Sequence, residues 1–262
     1  MADATGNARA QIELHKALAP RYAYRYSLPF SRLFQEDWHA RMIALVPKGA
    51  AHVLDLGCGT GFFLAELARS YPRAVGLDIS ADMLLVSRQY VPGARLVVGD
   101  AERLPFGDRT FDAVFCKGSL HHTRKHVAFL SDCRRVLGAD GVLIMSEPCN
   151  DNPLIRFARA VLYKRSPHFD EGDEGFTRKG IVALCEQAGF EVAKVEKYGV
   201  FAYVFAGFPD HVGLLKWIPF NTLVTRFLLK LDALLCAIPG LSLLGFHVMV
   251  VGKPRRNADA SA

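Results

Sequence analysis

The sequence lacks the cysteine patterns that support small secreted folds or structural metal sites. Its six cysteines include no Cys-x-x-Cys pair and no cysteine–histidine cluster at the spacing of a zinc site. A disulfide framework is not expected either, because 262 residues can bury a large apolar core without one. We therefore expect a reduced, cytoplasmic chain that binds no metal.

Long hydrophobic runs and a strong charge of one sign are also missing. No segment has 18 uncharged apolar residues, as a membrane-spanning helix needs, and the N-terminus lacks the apolar stretch of a secretory signal. Charged residues make up 22% of the chain, and the net charge of +6 is spread along it. This balance does not favour a nucleic-acid partner, but a mildly basic surface also suits anionic lipid head groups.

What the sequence does contain is one stretch, residues 53–63 (VLDLGCGTGFF), that predicts a buried strand, a tight turn and the start of a helix. Asp55 lies within the apolar strand. The loop that follows contains Gly57, Cys58, Gly59 and Gly61. Glycine reaches backbone angles closed to other residues and lets a ligand lie against the main chain. Free N–H groups at the start of a helix favour a carboxylate or a phosphate.

The motifs that follow indicate which ligand this loop binds. Asp78 ends the next apolar run, 23 positions after Asp55 (78 − 55), where a ribose-binding carboxylate falls in a dinucleotide-type unit. Phe62 replaces the third glycine of such a unit. Later come GDA (99–101), FDAVFCKGSLHH (111–122) and RRVLGADGVLIMSEP (134–148). In this order and spacing, the motifs resemble the class I S-adenosylmethionine-dependent methyltransferases, especially the branch that acts on quinones, lipids and small metabolites.

The alternation of apolar runs with helical patterns predicts an α/β fold with a mostly parallel sheet covered by helices on both faces. Strands are predicted at 52–56, 73–78, 94–98, 111–116, 141–146, 190–198 and 246–252, and helices at 60–70, 80–90, 124–137 and 177–188. The resemblance implies a doubly wound, seven-stranded, Rossmann-like sheet with a helical insertion before the last strand. It also implies that the last strand is antiparallel.

The chain is expected to contain five segments. They are an N-terminal helical lid (1–46), the cofactor-binding core (47–199), a hydrophobic insertion (200–245), the final strand (246–253) and a disordered tail (254–262). In the family, the N-terminal segment lies over the cofactor cleft. The alternative is that its aromatic residues, such as Trp38, only pack against the edge of the core.

The resemblance implies that S-adenosylmethionine is the cofactor and that the glycine loop carries its methionine end. Asp55 would orient this loop or receive the cofactor's ammonium group. Asp78 would accept hydrogen bonds from both ribose hydroxyls, which requires an ionised carboxylate with free oxygen lone pairs.

The same resemblance assigns residues to the adenine ring and to the carboxylate of the cofactor. Asp100 would face the adenine amino group, the backbone of Ala101 would meet the ring, and Ile79 would pack against it. Lys117 would approach the cofactor's carboxylate, with a solvent-exposed lysine as the alternative.

His121 and His122 follow the fourth predicted strand, where the resemblance places the reacting methyl group. A histidine there can deprotonate an acceptor hydroxyl or an acidic carbon, since imidazole titrates near neutral pH. Shaping the acceptor pocket is the alternative. The family's N-methyltransferases of bases and amides carry [DNS]-PP-[YFW] at this place, and CKGSLHH does not match it. O- or C-methylation is therefore favoured.

Between Pro219 and Pro239, apolar positions repeat at helical spacing, which predicts an amphipathic helix of about five turns. The polar side is expected to carry Asn221, Thr222, Thr225, Arg226, Lys230 and Asp232. Such a helix can pack on the sheet edge, contact a second subunit, line a hydrophobic acceptor pocket or lie in a membrane interface. The sequence leaves these alternatives open.

Together, these features predict an S-adenosylmethionine-dependent methyltransferase that acts on an O or C atom of a small acceptor. We expect a hydrophobic or amphiphilic acceptor, such as a quinone, polyketide, lipid or lipid-linked sugar, because of residues 200–245. The alternative is a non-catalytic S-adenosylmethionine-binding protein of the same fold. The expected partners are the small-molecule acceptor and, through residues 200–245, a membrane surface or a second copy of the chain.

Overall fold

Seven strands form the sheet, and each follows one of the apolar runs in the sequence. The computed structural model describes residues 24–153, 156–157, 175–209 and 212–255. The strands are β1 (Val53–Leu56), β2 (Val75–Asp78), β3 (Arg95–Val98), β4 (Phe111–Lys117), β5 (Leu137–Pro148), β6 (Phe190–Tyr198) and β7 (His247–Pro254). The predicted seven-stranded α/β fold is confirmed.

The strand order creates a crevice at the carboxyl ends of β1 and β4. The order across the sheet is β3-β2-β1-β4-β5-β7-β6. Strands β1 to β5 pair in parallel, whereas β7 runs antiparallel between β5 and β6, as expected for the last strand. The chain reverses its direction of winding after β3, and ligands bind beside such a switch point in doubly wound sheets.

The helices cover both faces of the sheet. They are α1 (Pro29–Ile43), α2 (Phe62–Ser70), α3 (Ala81–Tyr90), α4 (His126–Val136), α5 (Arg178–Gln187) and α6 (Asn221–Ala237). Two of them begin at hydroxyl caps: Ser80 accepts the N–H of Met83 at 3.3 Å, and Thr177 accepts the N–H of Gly180 at 3.0 Å. These caps fix where α3 and α5 start relative to the strands before them.

Apolar side chains fill the space on both faces. Phe129 of α4 and Ile181 of α5 are buried on one face, and Phe34 of α1 and Leu67 of α2 on the other. Burial of each such side chain contributes about 1.5–3 kcal/mol. The sheet is therefore held between two packed layers, which keeps the carboxyl ends of its strands in fixed positions.

The N-terminal segment packs at the edge of this core. Residues 1–23 of the expected lid lie outside the described residues. Trp38 is 6% exposed, and its Nε1 donates to the Ser146 Oγ at 3.1 Å. The ring of Tyr26 stacks on Phe62 with 3.6 Å between the ring centroids. Since Phe62 directly follows the glycine loop, Tyr26 packs next to that loop.

Helix α6 forms between the two prolines, but the prediction for its polar side is wrong at two residues. Thr225 and Asp232 are buried, while the apolar Leu223, Phe227 and Leu234 are 61–66% exposed. The helix packs against α1 and β6 with its mixed polar and apolar side. No helix within the described ranges is both long and apolar enough to cross a bilayer.

Asp232 explains this orientation, because its carboxylate holds the chain that follows β6. One oxygen accepts the N–H groups of Val200 at 2.7 Å and Ala202 at 3.0 Å, and the other accepts that of Phe201 at 2.8 Å. Burial raises the pKa of Asp232, and these N–H groups offset part of the rise. Three hydrogen bonds to the carboxylate therefore favour the orientation of α6 that buries Asp232.

We predict that Asp232→Ala lowers the free energy of unfolding by about 3 kcal/mol, because it leaves three backbone N–H groups without an acceptor. Urea unfolding followed by circular dichroism measures the change. Thr222→Ala on the exposed side of the same helix is the control and should change stability by less than about 0.5 kcal/mol. Equal stability of the two variants would contradict the anchoring by Asp232.

Candidate active site

The glycine loop after β1 packs against the protein at Gly57 and Gly61 and is open at Gly59. The Gly57 N–H donates to the Leu77 carbonyl at 2.8 Å. Gly59 and Gly61 have φ values of +52° and +81°. A Cβ on Gly61 would lie 2.1 Å from the Ser87 Oγ, whereas one on Gly59 would meet no atom within 4 Å. The loop therefore leaves the space in front of Gly59 free, as a ligand that contacts the main chain requires.

Cys58 supports this loop by packing. It is 8% exposed, and its N–H donates to the Leu77 carbonyl at 3.0 Å. Burial raises the pKa of its thiol, and the nearby Asp55 and Asp78 raise it further. The side chain is thus an uncharged apolar group, and only the Cys58 backbone is available to a ligand.

Asp78 ends β2 as predicted and also holds the glycine loop. It is 5% exposed; its Oδ2 accepts the N–H of Gly59 at 2.8 Å and its Oδ1 accepts that of Ser80 at 2.9 Å. A carboxylate oxygen has a second lone pair, so both oxygens remain able to accept a bond from a ligand. The link to Gly59 was not predicted from the sequence.

The three residues expected near an adenine ring lie beside Asp78. The Gly99 N–H donates to the Asp78 carbonyl at 3.0 Å, which brings the end of β3 against the end of β2. Asp100 is exposed there, Ala101 is half-buried against the core, and Ile79 is half-buried. The structure therefore brings all of these residues to one edge of the sheet.

Asp55 is a buried carboxyl group whose Oδ2 has no hydrogen-bond partner among the described residues. It is 2% exposed. Burial raises its pKa from 3.8 to about 7; the Lys117 charge limits this rise and the Asp78 charge adds to it. An unpaired buried acceptor is unfavourable, so the site favours a ligand that brings a positive charge and N–H donors.

Lys117, at the end of β4, points inward to α1. It is therefore not the solvent-exposed lysine that was the alternative. Its Nζ donates to the Gln35 Oε1 at 3.1 Å and to the His39 Nε2 at 2.7 Å, and it lies 4.4 Å from the centre of the Trp38 ring. Burial lowers the pKa of Lys117 to about 8, although the negative charges of Asp55 and Glu66 act to raise it. Lys117 thus joins β4 to α1 and brings positive charge near Asp55.

His39 extends this connection to α2. Its Nδ1 lies 2.7 Å from the Glu66 Oε1. Burial and the Lys117 charge lower the pKa of His39, so the neutral ring accepts from Lys117 at Nε2 and donates to Glu66 at Nδ1. Gln35, His39 and Glu66 were not predicted from the sequence, because they are distant in sequence from Lys117. A polar Gln35-x-x-x-His39 pair on the buried side of a predicted helix is the signal that would have indicated them.

Another buried carboxylate, Glu147 at the end of β5, holds the turn that contains the predicted histidines. It is 0% exposed. Its Oε1 accepts the N–H groups of Ser119 at 3.0 Å and Leu120 at 2.9 Å, and the Cys116 thiol at 3.3 Å. Its Oε2 lies 2.7 Å from the His121 Nδ1. Glu147 therefore positions His121 directly.

The ionisation of Glu147 fixes how His121 carries its proton. Burial alone would raise the pKa of Glu147, but its contact with His121 and the Leu120 N–H lower it. The carboxylate accepts from the Nδ1–H of His121, so in the neutral ring the second nitrogen, Nε2, is the one without a proton. The His122 ring lies 4.0 Å from that of His121, centroid to centroid. Sequence reasoning did not find Glu147, although an acid at the end of a buried strand was visible.

The histidine turn lies against the glycine loop. The Ser119 hydroxyl donates to the Leu56 carbonyl at 3.0 Å, and a Cβ on Gly57 would lie 2.2 Å from the Ser119 Oγ. The histidine turn and the glycine loop therefore lie side by side. Across the described part of the chain, no three His, Cys, Asp or Glu side chains form a group suited to a metal ion.

Comparison with known proteins agrees with this geometry. A family model described as a methyltransferase domain matches residues 54–145. The demethylmenaquinone methyltransferase of Mycobacterium sp. (strain KMS) is 35% identical over 181 residues, which cover 68% of this chain and 70% of the relative. That of Roseiflexus castenholzii is 34% identical over 134 residues, or 49% of this chain and 56% of the relative.

The chain matches its relatives over part of their length and a solved structure over nearly all of it. The chain spans about half the length of several curated relatives that it matches. The crystal structure of an S-adenosylmethionine-dependent methyltransferase from Thermotoga maritima has a TM-score of 0.65 and 18% identity, and covers 93% of this chain and 99% of that one. At this identity the likeness supports the fold.

We predict that Asp55→Asn stabilises the unliganded protein above neutral pH. The folded state raises the pKa of Asp55 to about 7, so the contribution of Asp55 to stability is complete below about pH 4 and is lost as the pH rises through 7. At about pH 8, the variant should be more stable than the parent by up to about 4 kcal/mol. Urea unfolding across this pH range measures the difference.

Asp112→Asn is the matched control, because the Asp112 Oδ2 accepts the N–H groups of Ala51 at 2.8 Å and His52 at 2.9 Å. Its carboxylate is stabilised by these donors, so its replacement should destabilise the protein. A parent whose stability does not fall between about pH 4 and 8 relative to Asp55→Asn would contradict the raised pKa.

Proposed function

This chain belongs to the class I S-adenosylmethionine-dependent methyltransferases, and we propose that it transfers a methyl group from S-adenosylmethionine to an oxygen or carbon atom of a small acceptor. The observation that carries this proposal is the Oδ2 of Asp55, which has no hydrogen-bond partner among the described residues, beside a glycine loop that is open at Gly59. A cofactor with an ammonium group and a ribose fits this pair of features.

In this proposal, each residue at the carboxyl ends of the strands binds a different part of the cofactor. We assign the ammonium group to Asp55, the ribose hydroxyls to Asp78 and the methionine end to the backbone of the loop 57–61. The adenine ring would be held by Ile79, Asp100 and Ala101. Lys117 would contribute its positive charge and fix the position of α1, since its Nζ already donates to Gln35 and His39.

His121 is the base in this proposal, and Glu147 is its positioning residue. When bound, S-adenosylmethionine supplies an electrophilic methyl group on a sulfonium sulfur. The Nε2 of His121 takes the proton from the acceptor's hydroxyl or acidic carbon, and the carboxylate of Glu147 stabilises the imidazolium that forms. The 2.7 Å contact with Glu147 favours His121 over His122. It also favours catalysis over cofactor binding alone, which needs no oriented base.

We propose a hydrophobic or amphiphilic acceptor, such as a quinone, polyketide, lipid or lipid-linked sugar. Two relatives are named for demethylmenaquinone, and the exposed apolar residues of α6 fit an acceptor of this kind. Acceptors with long apolar chains reside in membranes, so we also propose that the protein contacts a membrane peripherally.

Calorimetric titration with S-adenosylhomocysteine tests the cofactor assignment. We predict micromolar binding by the parent and at least about 30-fold weaker binding by Asp78→Asn, because the variant loses charge-assisted hydrogen bonds to the ribose. Glu191→Gln, which neutralises an exposed acid on β6, should bind like the parent. Equal binding by Asp78→Asn, or preferential binding of NADH, would contradict the proposal.

Methyl transfer from labelled S-adenosylmethionine to a short-chain demethylmenaquinol tests the base. We predict that His121→Asn lowers kcat by about 100-fold or more while S-adenosylhomocysteine binding is kept, whereas His122→Asn loses less than about 10-fold. Glu147→Gln should lower kcat and move the midpoint of the rate–pH profile to lower pH, since the charge that stabilises the imidazolium is gone. An unchanged rate in His121→Asn rules out this role.

A further inference from the structure

Helix α6 is turned so that its most apolar side faces solvent. Leu223, Phe227 and Leu234 recur at spacings of four and seven and are therefore on one face, with 66%, 63% and 61% of their surface exposed. Asp232 and Thr225 of the same helix face the interior. A helix on the surface of a monomeric protein normally has the opposite arrangement, so this face is built to be covered.

The chain that leads into α6 extends this apolar face. Trp217 and Phe220 are 86% and 80% exposed. Phe220 has a φ of +56°, a left-handed conformation that is rare for a bulky residue. The strained turn presents the phenyl ring to solvent at the start of the helix. We call Trp217, Phe220, Leu223, Phe227 and Leu234 the apolar face.

Charge decides between a membrane and a second copy of the chain as the partner of this face. Arg226 and Lys230 are exposed on the same side of α6, and Lys216 is exposed beside Trp217. Within the described residues 212–245 the one acid is Asp232, and its carboxylate is buried against backbone N–H groups. Two copies packed face to face would bring these bases together without an acid on the face to pair them.

We propose that the apolar face is a docking surface for a membrane that contains anionic lipids, with Trp217 and Phe220 inserted at the interface and Arg226 and Lys230 at the head groups. This proposal rests on the proposed function, since the docked face would bring the site to an acceptor held in the membrane. The docking itself does not depend on methyl transfer, so each can fail without the other.

The chain of 262 residues is tested by co-sedimentation with vesicles of phosphatidylcholine alone and of phosphatidylcholine with phosphatidylglycerol. The parent should bind the anionic vesicles at low salt and much less at high salt, and should bind the neutral vesicles weakly. Arg226→Gln/Lys230→Gln should bind the anionic vesicles about 25-fold more weakly, at about fivefold for each base removed. Arg88→Gln/Arg95→Gln, which removes an exposed base from α3 and one from β3, is the matched control and should bind like the parent.

Apolar insertion is tested separately from charge. Phe227→Ser should lose at least about tenfold in vesicle binding, and Leu85→Ser, an exposed leucine on α3, should lose less than about twofold. The fluorescence of the parent should shift to shorter wavelength when anionic vesicles are added. Trp217→Phe should abolish that shift, because the other tryptophan, Trp38, is already buried.

S-adenosylhomocysteine binding, measured on every variant, separates loss of docking from loss of the fold or of the proposed function. Equal binding to both vesicle types, or none to either, overturns the proposal. So does sedimentation that shows a dimer of the parent which Phe227→Ser dissociates, because the covering partner would then be a second copy.

Discussion

The hydrogen bond from the Gly59 N–H to the Asp78 carboxylate is the contact on which the rest of the site depends. It joins the end of β1 to the end of β2 at 2.8 Å and fixes the turn in front of which a ligand can lie. The histidine turn then packs against the same loop through Ser119. The position of the histidine turn relative to the glycine loop therefore follows from hydrogen bonds between side chains and the backbone at the ends of neighbouring parallel strands.

Buried carboxylates shape the loops at this edge in a recurring way. Glu147 and Asp232 each accept two or three backbone N–H groups of a turn that follows a strand, and Asp78 accepts one N–H from each of two such turns. Asp55 is the exception, since its Oδ2 has no such donor among the residues described. Three of these acids therefore hold backbone turns, and Asp55 is the one that has an oxygen without a donor. The cost of that unpaired acid is the reason to expect a stability gain when it is neutralised.

The sheet and the cofactor edge could be predicted from the sequence, whereas the contacts that organise them could not. Strand–helix alternation and local glycine spacing determine the fold and the places of Asp55, Asp78 and Asp100. The connection from Lys117 through His39 to Glu66 joins residues up to 78 positions apart. The orientation of α6 was mispredicted because hydropathy alone assigns Asp232 to solvent, while three backbone donors make its burial favourable.

Proton release on cofactor binding tests the central proposal, that the carboxyl group of Asp55 binds the ammonium group of the cofactor. Because the pKa of Asp55 is about 7, much of it is protonated at about pH 6.5, and an arriving ammonium should expel that proton. Calorimetry with S-adenosylhomocysteine in buffers of different ionisation enthalpy counts the protons released. The account predicts release by the parent and none by Asp55→Asn. Binding without release in the parent, or no binding, would contradict it.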